Sequence, residues 1–409
     1  MRYRLDSTAI VHCALMNKEW INAYRITVTM KEPVDPVLLQ QAADSMPERF
    51  PTICSRIVSD AFWYYTEKLD RITVRQLDCG LLGSVNSKNI FDHAINLMYE
   101  GDRIILEAFH SVTDGHGAFT FLNSLIDAYV KLKMGSFLSD RPAELFTAEE
   151  REDAFIRYGD TAPLKNSAVQ VDSPFFFEKE TSSKSVNATV FRMKTSQIKQ
   201  RAKDISCTMN ELLVAAIFKA VFRMPATEGR DVALTVPINL RRHFVSRSLL
   251  NFTYLSTAAL PHTRKDMTIK DMAESIRRQL KKQNNPDYLR RAVSQIASVC
   301  TMPVVRLAPL FLKNLFIRAA IMFGYEKTCM TVTNLGNVAA MLPAGENHIK
   351  NIDVLLSPRR NAPYNCGIVS YNEELHIILT HGRGDSPLVK AIGVRLEDMG
   401  IVFHCTPYV

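Results

Sequence analysis

Arg103-Ile104-Ile105-Leu106-Glu107-Ala108-Phe109-His110-Ser111-Val112-Thr113-Asp114-Gly115 is the stretch that decides how this chain folds. Its first seven residues are rich in apolar side chains and read as a strand. Residues 118–132 then carry Phe119, Leu122, Leu125, Ile126, Tyr129 and Val130 at helical spacing. Between strand and helix, His110 and Asp114 stand four positions apart in a turn closed by Gly115. Open α/β sheets gather their functional groups beyond the carboxyl ends of strands. An imidazole placed there, titrating ordinarily near pH ~6.5, accepts a proton at neutral pH without special tuning. His110 is therefore the candidate base.

Outward from this turn, strands and helices alternate. Residues 24–30 alternate as a strand, Asp35-Pro36 opens a helix to about Met46, and 51–58 with 62–67 read as a strand pair. From Gly135 to about Ser185 the pattern gives way to polar, proline-containing sequence that reads as a crossover. The second half begins with a strand at 188–193. Thr208 and Glu211 form a capping box ahead of a helix at 212–222, and 232–237 is a strand. Helices at 269–282 and 288–299 follow, then strands near Cys329, Ile352, Gly367 and Leu375. Asp385-Ser386-Pro387 caps a last helix to about Met399, and 402–406 is a final strand. The fold class is α/β, in two domains: residues 1–165 and 188–409, joined by a crossover at 166–187.

A length of 409 residues accommodates two full cores, and 47% hydrophobic with 22% charged residues is ordinary globular composition. The net charge of +8 points to an anionic partner or to a merely solvated basic surface. Basic residues occur as scattered pairs rather than bunched with aromatics, so no nucleic acid is expected. Eight cysteines lie far apart without a C-x-x-C pair, and the N-terminal apolar run is broken by His12 and Asn17, unlike a signal peptide. Reduced thiols and a cytoplasmic location are expected, so the sequons Asn187-Ala188-Thr189 and Asn251-Phe252-Thr253 should carry no glycan. Arg383-Gly384-Asp385 reads as a turn before a helix. Arg306, Lys313 and Arg318 interrupt the apolar segment 303–324 and argue against a membrane span. It is either a helix packed on the protein body or a basic amphipathic helix touching lipid or admitting a greasy substrate.

The H-x-x-x-D-G run at a strand-to-helix turn resembles the signature of the CoA-dependent acyltransferase superfamily. That superfamily includes chloramphenicol acetyltransferase, the plant BAHD enzymes, alcohol and wax-ester acyltransferases and peptide-synthetase condensation domains. Pro237-Ile238-Asn239-Leu240-Arg241 resembles the P-x-N-x-R element of the alcohol acetyltransferase-like branch, and Thr333-Asn334-Leu335-Gly336 its S/T-N-L-G segment. Their order and spacing extend the resemblance over nearly the whole chain. Phe109 stands where condensation domains usually carry a second histidine, and no D-F-G-W-G segment of the plant branch occurs.

The resemblance implies two chloramphenicol-acetyltransferase-like lobes, each a mixed sheet with flanking helices, with a tunnel between them. It implies O-acyl transfer from acyl-CoA, acetyl-CoA in the simplest case, to a small-molecule alcohol, with His110 as base and no resident cofactor. Asp114 would pair with an arginine to hold the loop, with Arg241 the expected partner and Arg56 the alternative. Gly115 and Gly117 suit a sharply turning backbone that approaches its surroundings closely. Thr331, Thr333 or a backbone N–H are candidate oxyanion donors, and Asn334 and Gly336 would shape the tunnel wall. A metal trio of His110, Asp114 and His116 is a weaker reading, because no further cluster completes a site. Two other functions compete: transfer from a carrier-protein thioester, and a non-catalytic relative that binds acyl-CoA or lipid. A monomer is expected.

Overall fold

The strand Arg103–Phe109 runs through the middle of a five-stranded sheet ordered Ile349–Leu356, Ala23–Met30, Arg103–Phe109, Ile95–Glu100, Val74–Gln76. Its pairings are antiparallel except the last, which is parallel. Every residue of Arg103–Phe109 after the first is buried, so the run is continuously apolar rather than alternating. Glu107 is the polar exception, and Arg25 on the neighbouring strand answers it with an Nε–Oε1 hydrogen bond of 2.6 Å. The computed structural model describes the chain except residues 18–20, 79, 83–89, 138–144, 161–168, 170, 179–185, 321–326, 359–361, 383–385 and 409.

A second sheet has seven strands, ordered Thr253–Leu260, Val232–Asn239, Met330–Asn337, Asn365–Tyr371, Glu374–His381, Asn187–Lys194, Phe403–Pro407. The helix Met209–Val221, closed by the Thr208/Glu211 capping box, packs its apolar side into this sheet's core. A three-stranded sheet, Arg2–Arg4, Tyr64–Lys68, Ser55–Ser59, completes the N-terminal side. The molecule is thus α/β, with two large mixed sheets that each carry flanking helices and their own core.

The two halves exchange chain. Ile349–Leu356 falls within 188–409, yet it is the edge strand of the five-stranded sheet, paired antiparallel with Ala23–Met30. Asp353 on that strand receives a 2.6 Å hydrogen bond from His376 Nδ1 on the seven-stranded sheet, a buried polar joint between the lobes. The helix Ala154–Tyr158, assigned to the N-terminal lobe, packs on Pro286–Thr301 around Phe155, Phe252 and Val293. Much of the crossover 166–187, and the Arg383-Gly384-Asp385 turn with the Asp385 of the predicted cap, lie outside the described residues. The last helix, Pro387–Asp398, is capped by Ser386, whose Oγ accepts from Val389 N.

Segment 303–324 differs from the single helix drawn for it. It forms Pro303–Leu307 and Leu310–Ala320, broken at Ala308-Pro309 because proline lacks the amide and clashes with the preceding turn. Among the described residues no helix is long and apolar enough to cross a membrane.

Candidate active site

The strand Arg103–Phe109 ends at His110, and Asp114 caps the helix Gly115–Lys133 that follows. Asp114 Oδ1 accepts from the backbone N–H groups of His116 and Gly117 at 3.1 and 3.2 Å, so the carboxylate sits on the positive end of that helix. Asp114 Oδ2 faces the other lobe. It accepts from Arg241 Nη1 at 2.7 Å, Phe252 N at 3.0 Å and Thr253 Oγ1 at 3.4 Å. Burial alone would raise this carboxyl, but the charge and hydrogen bond of Arg241 and the Phe252 amide hold it below the usual range. With five donors on its two oxygens, Asp114 is saturated, and none is left for a metal shared with His110 and His116.

The Arg241 side chain is only 7% exposed and its whole fork is engaged. Nε and Nη2 donate to Ser248 O at 3.1 and 2.7 Å, and Nη2 also to Leu250 O at 2.6 Å. Asn239 Oδ1 accepts from Arg241 N at 3.0 Å and so caps the turn that aims the guanidinium. Arg56, the alternative partner, lies on the three-stranded sheet and donates instead to Glu67 Oε2 at 2.8 Å.

Two glycines of the turn differ in what they do. A Cβ at Gly117 would overlap Thr113 Oγ1 and the carbonyl of Leu249, which belong to the close seam between the lobes. A Cβ at Gly115 would make only an ordinary 3.7 Å contact with Leu335. Gly117→Ala should therefore lower the melting temperature by several degrees, whereas Gly115→Ala should melt like the parent. Parallel thermal melts of the two variants check this, and equal losses would contradict it.

His110 is partly exposed, and its ring is held from three sides. Nδ1 lies 2.8 Å from Asn251 Oδ1, the Tyr24 ring meets it edge-on at 5.2 Å between centroids, and the His12 ring stacks on it at 4.9 Å. Asn22 meets both histidines: its backbone carbonyl accepts from the His110 backbone amide at 2.8 Å, and its Nδ2 lies 2.7 Å from the His12 ring Nδ1. Tyr24 donates from its hydroxyl to the carbonyls of Thr113 and Asp114, both at 3.2 Å.

Behind Asn251 stands Asp6. Its Oδ2 accepts from Asn251 Nδ2 at 3.0 Å and Asn251 N at 3.2 Å, while Oδ1 accepts from Thr8 N, Thr8 Oγ1 and Ala9 N. Burial, helped by the charge of Asp153 and opposed by these donors, raises the Asp6 carboxyl to about 6. An ionised carboxylate only accepts, so it turns the amide nitrogen of Asn251 toward itself and the amide oxygen toward His110. That oxygen in turn requires a proton on His110 Nδ1, which leaves the lone pair on Nε2.

Asn251, Asp6 and His12 went unread in the sequence. Asn251 was noticed only within a sequon, yet it is 4% exposed with its amide committed on both sides. The sole local hint at His12 was that it interrupts an apolar run, which the structure forms as the helix Ala9–Leu15.

The Thr333-Asn334-Leu335-Gly336 segment ends the strand Met330–Asn337. Met330 and Val332 enter the seven-stranded core, so Thr331 and Thr333 turn away from it, and Leu335 packs on the N-terminal core. The Thr331 amide donates to Asn365 Oδ1 at 2.9 Å and is engaged. Asn334 Nδ2 donates to Asn210 Oδ1 at 3.1 Å, and its Oδ1 accepts from Gly336 N at 2.9 Å. Gly336 has φ +70°, which only glycine adopts at little cost.

No protein-family model and no curated protein sequence matches the chain. Solved structures do. TRI3 trichothecene 15-O-acetyltransferase from Fusarium sporotrichioides superposes with a TM-score of 0.62 at 11% identity, over 97% of this chain and 94% of that one. F. sporotrichioides TRI101, complexed with coenzyme A and T-2, gives 0.63 at 11% identity, over 98% and 99%. The first condensation domain of the CDA synthetase gives 0.61 at 13% identity, over 98% and 95%. The chain therefore shares the two-lobed fold of these acetyltransferases and this condensation domain.

Proposed function

We propose that the chain is an acyltransferase that moves an acyl group, acetyl in the simplest case, from acyl-CoA to the hydroxyl of a small-molecule alcohol. The observation that carries this reading is the hydrogen-bond order Asp6–Asn251–His110, which makes Nε2 the basic atom of a partly exposed ring. The fold shared with acetyltransferases, one of them in complex with coenzyme A, supports the donor class. The net charge of +8 suits an anionic donor. All seven described cysteines are free thiols, which favours a reducing cytoplasmic setting.

In the proposed reaction the alcohol gives its proton to His110 Nε2 as its oxygen attacks the thioester carbon. The carbonyl electrons move onto oxygen, and Thr331 or Thr333, or a backbone N–H, donates to that oxyanion. Collapse breaks the C–S bond, and the departing CoA thiolate takes the proton back from Nε2. Ester and free CoA result, without metal, covalent intermediate or further reactant. Asn251 and Asp6 act as positioning residues. Asp114 and Arg241 hold the turn.

Incubating the protein with acetyl-CoA, a panel of alcohols and a thiol reagent tests the proposal. Alcohol-dependent thiol release is expected. Inertness toward acyl-CoA, with turnover only of an acyl group on a carrier-protein thiol, would overturn the donor. Tight CoA binding without turnover of any acceptor would overturn catalysis. Asn251→Leu should lower kcat about 10- to 100-fold, by analogy with the loss on removing the hydrogen-bond partner that orients a metal-bound histidine, with KM for acetyl-CoA little changed. A kcat equal to the parent's would remove Asn251 from the machinery.

A further inference from the structure

The helix Leu310–Ala320 is packed inside out. Its polar side chains face the protein: Lys313 is buried, donates from Nζ to Phe62 O at 2.7 Å, and lies over the Trp63 ring. Asn314 Nδ2 donates to the Tyr64 hydroxyl at 2.8 Å, and Arg318 Nε to Ala14 O at 2.5 Å. Leu310 and Ile317 pack inward with them, whereas Phe311, Leu315 and Phe316, with Val304 and Leu307 of the preceding helix, face outward. Val304, Leu307, Phe311, Leu315 and Phe316 are each 64 to 73% exposed. Single exposed apolar residues need no explanation, but a contiguous set on one helical face does.

The segment that carries this face is basic. From Tyr288 to Tyr325 the sequence contains five basic residues, Arg290, Arg291, Arg306, Lys313 and Arg318, and no aspartate or glutamate. Arg290, Arg291, Arg306 and Arg318 are exposed. Arg291 shares an exposed helical face with Gln295 and Val299, which continues into the apolar patch. Large apolar groups flanked in sequence by arginines complement an interface where acyl chains lie beneath anionic headgroups, with Asp60 beside Lys313 the acidic neighbour that opposes it. A protein partner would require a matched contour, whereas a lipid surface requires only these two features.

We infer that the face of Pro303–Leu307 and Leu310–Ala320 docks on an anionic lipid surface, with Phe311 and Phe316 inserted and Arg306 at the headgroups. Neither helix is long enough to span, so the contact is peripheral. The docking helix packs its inward side on Ala9–Leu15, which carries the His12 that stacks on His110.

Vesicle co-sedimentation of the full chain tests this. Phosphatidylcholine vesicles are compared with vesicles of phosphatidylcholine and phosphatidylserine, for the parent, Phe311→Glu/Phe316→Glu and Arg306→Glu. The parent should sediment with the anionic vesicles, and the double variant should bind roughly tenfold more weakly or worse, with an unchanged melting temperature because both rings are exposed. Arg306→Glu should bind more weakly in low salt. Equal binding to neutral and anionic vesicles, or retention of binding by the double variant, would overturn the inference. So would the absence of vesicle binding combined with self-association that the double variant abolishes, which would assign the face to a second copy.

Discussion

Arg241→Ala should destabilise the protein by roughly 3–5 kcal/mol, the usual consequence of leaving a buried charge without its partner. Asp114 is buried, and Arg241 Nη1 supplies its charged contact across the lobe seam. Without the guanidinium, the carbonyls of Ser248 and Leu250 also lose their donors, so the strap from Ser248 to Thr253 loosens together with the helix cap. The pH dependence separates this account from simple loss of packing. In the parent, Asp114 is held below its ordinary value of 3.8, so its contribution is complete above that value and is lost as pH falls through the lower folded value. In the variant, burial without the arginine raises the carboxyl, and protonation then relieves the penalty. The stability gap between parent and variant should be widest near neutrality and narrow on acidification. Denaturant unfolding over a pH series measures it, and a constant gap would contradict the electrostatic explanation.

His110→Ala should lower turnover by about 10²–10⁴-fold, the contribution of a positioned general base. The ring is partly exposed and its main protein hydrogen bond goes to Asn251 Oδ1, so its removal should leave the melting temperature close to that of the parent. This contrast makes the variant informative. Loss of activity with retained stability separates a chemical role from the structural one assigned to Asp114 and Arg241. A melting temperature lowered as far as that of Arg241→Ala would mean that His110 acts as scaffold.

The sequence made the frame of the site legible because its parts are local. The strand, the turn and the Asp114 cap occupy one continuous stretch, and the structure places Arg241 of the second motif on Asp114. The rest depends on contacts that sequence spacing does not encode. Asp6, His12 and Asn251 arrive from separate segments, and none sits in a periodic pattern. The strand Thr253–Leu260 went unread because its buried face consists of Ser256, Ala258 and Leu260, a weak apolar signal. Ile95–Glu100 is likewise missing from the sequence reading, although it pairs antiparallel with Arg103–Phe109. At 310–320 a helical wheel leaves Leu310 and Ile317 among the polar residues, and it does not say which side faces the protein. Trp63 and Tyr64, more than two hundred positions earlier in the chain, decide that by receiving Lys313 and Asn314.

Following labelled acetyl groups from acetyl-CoA through a single turnover, with acid quenching at successive times, tests direct transfer assisted by His110 most closely. The account predicts that label passes from CoA to the alcohol ester without ever residing on the protein, and that His110→Ala slows this passage by the factor stated above. Label accumulating on a protein side chain before the ester forms, or ester appearing equally fast from His110→Ala, would contradict it.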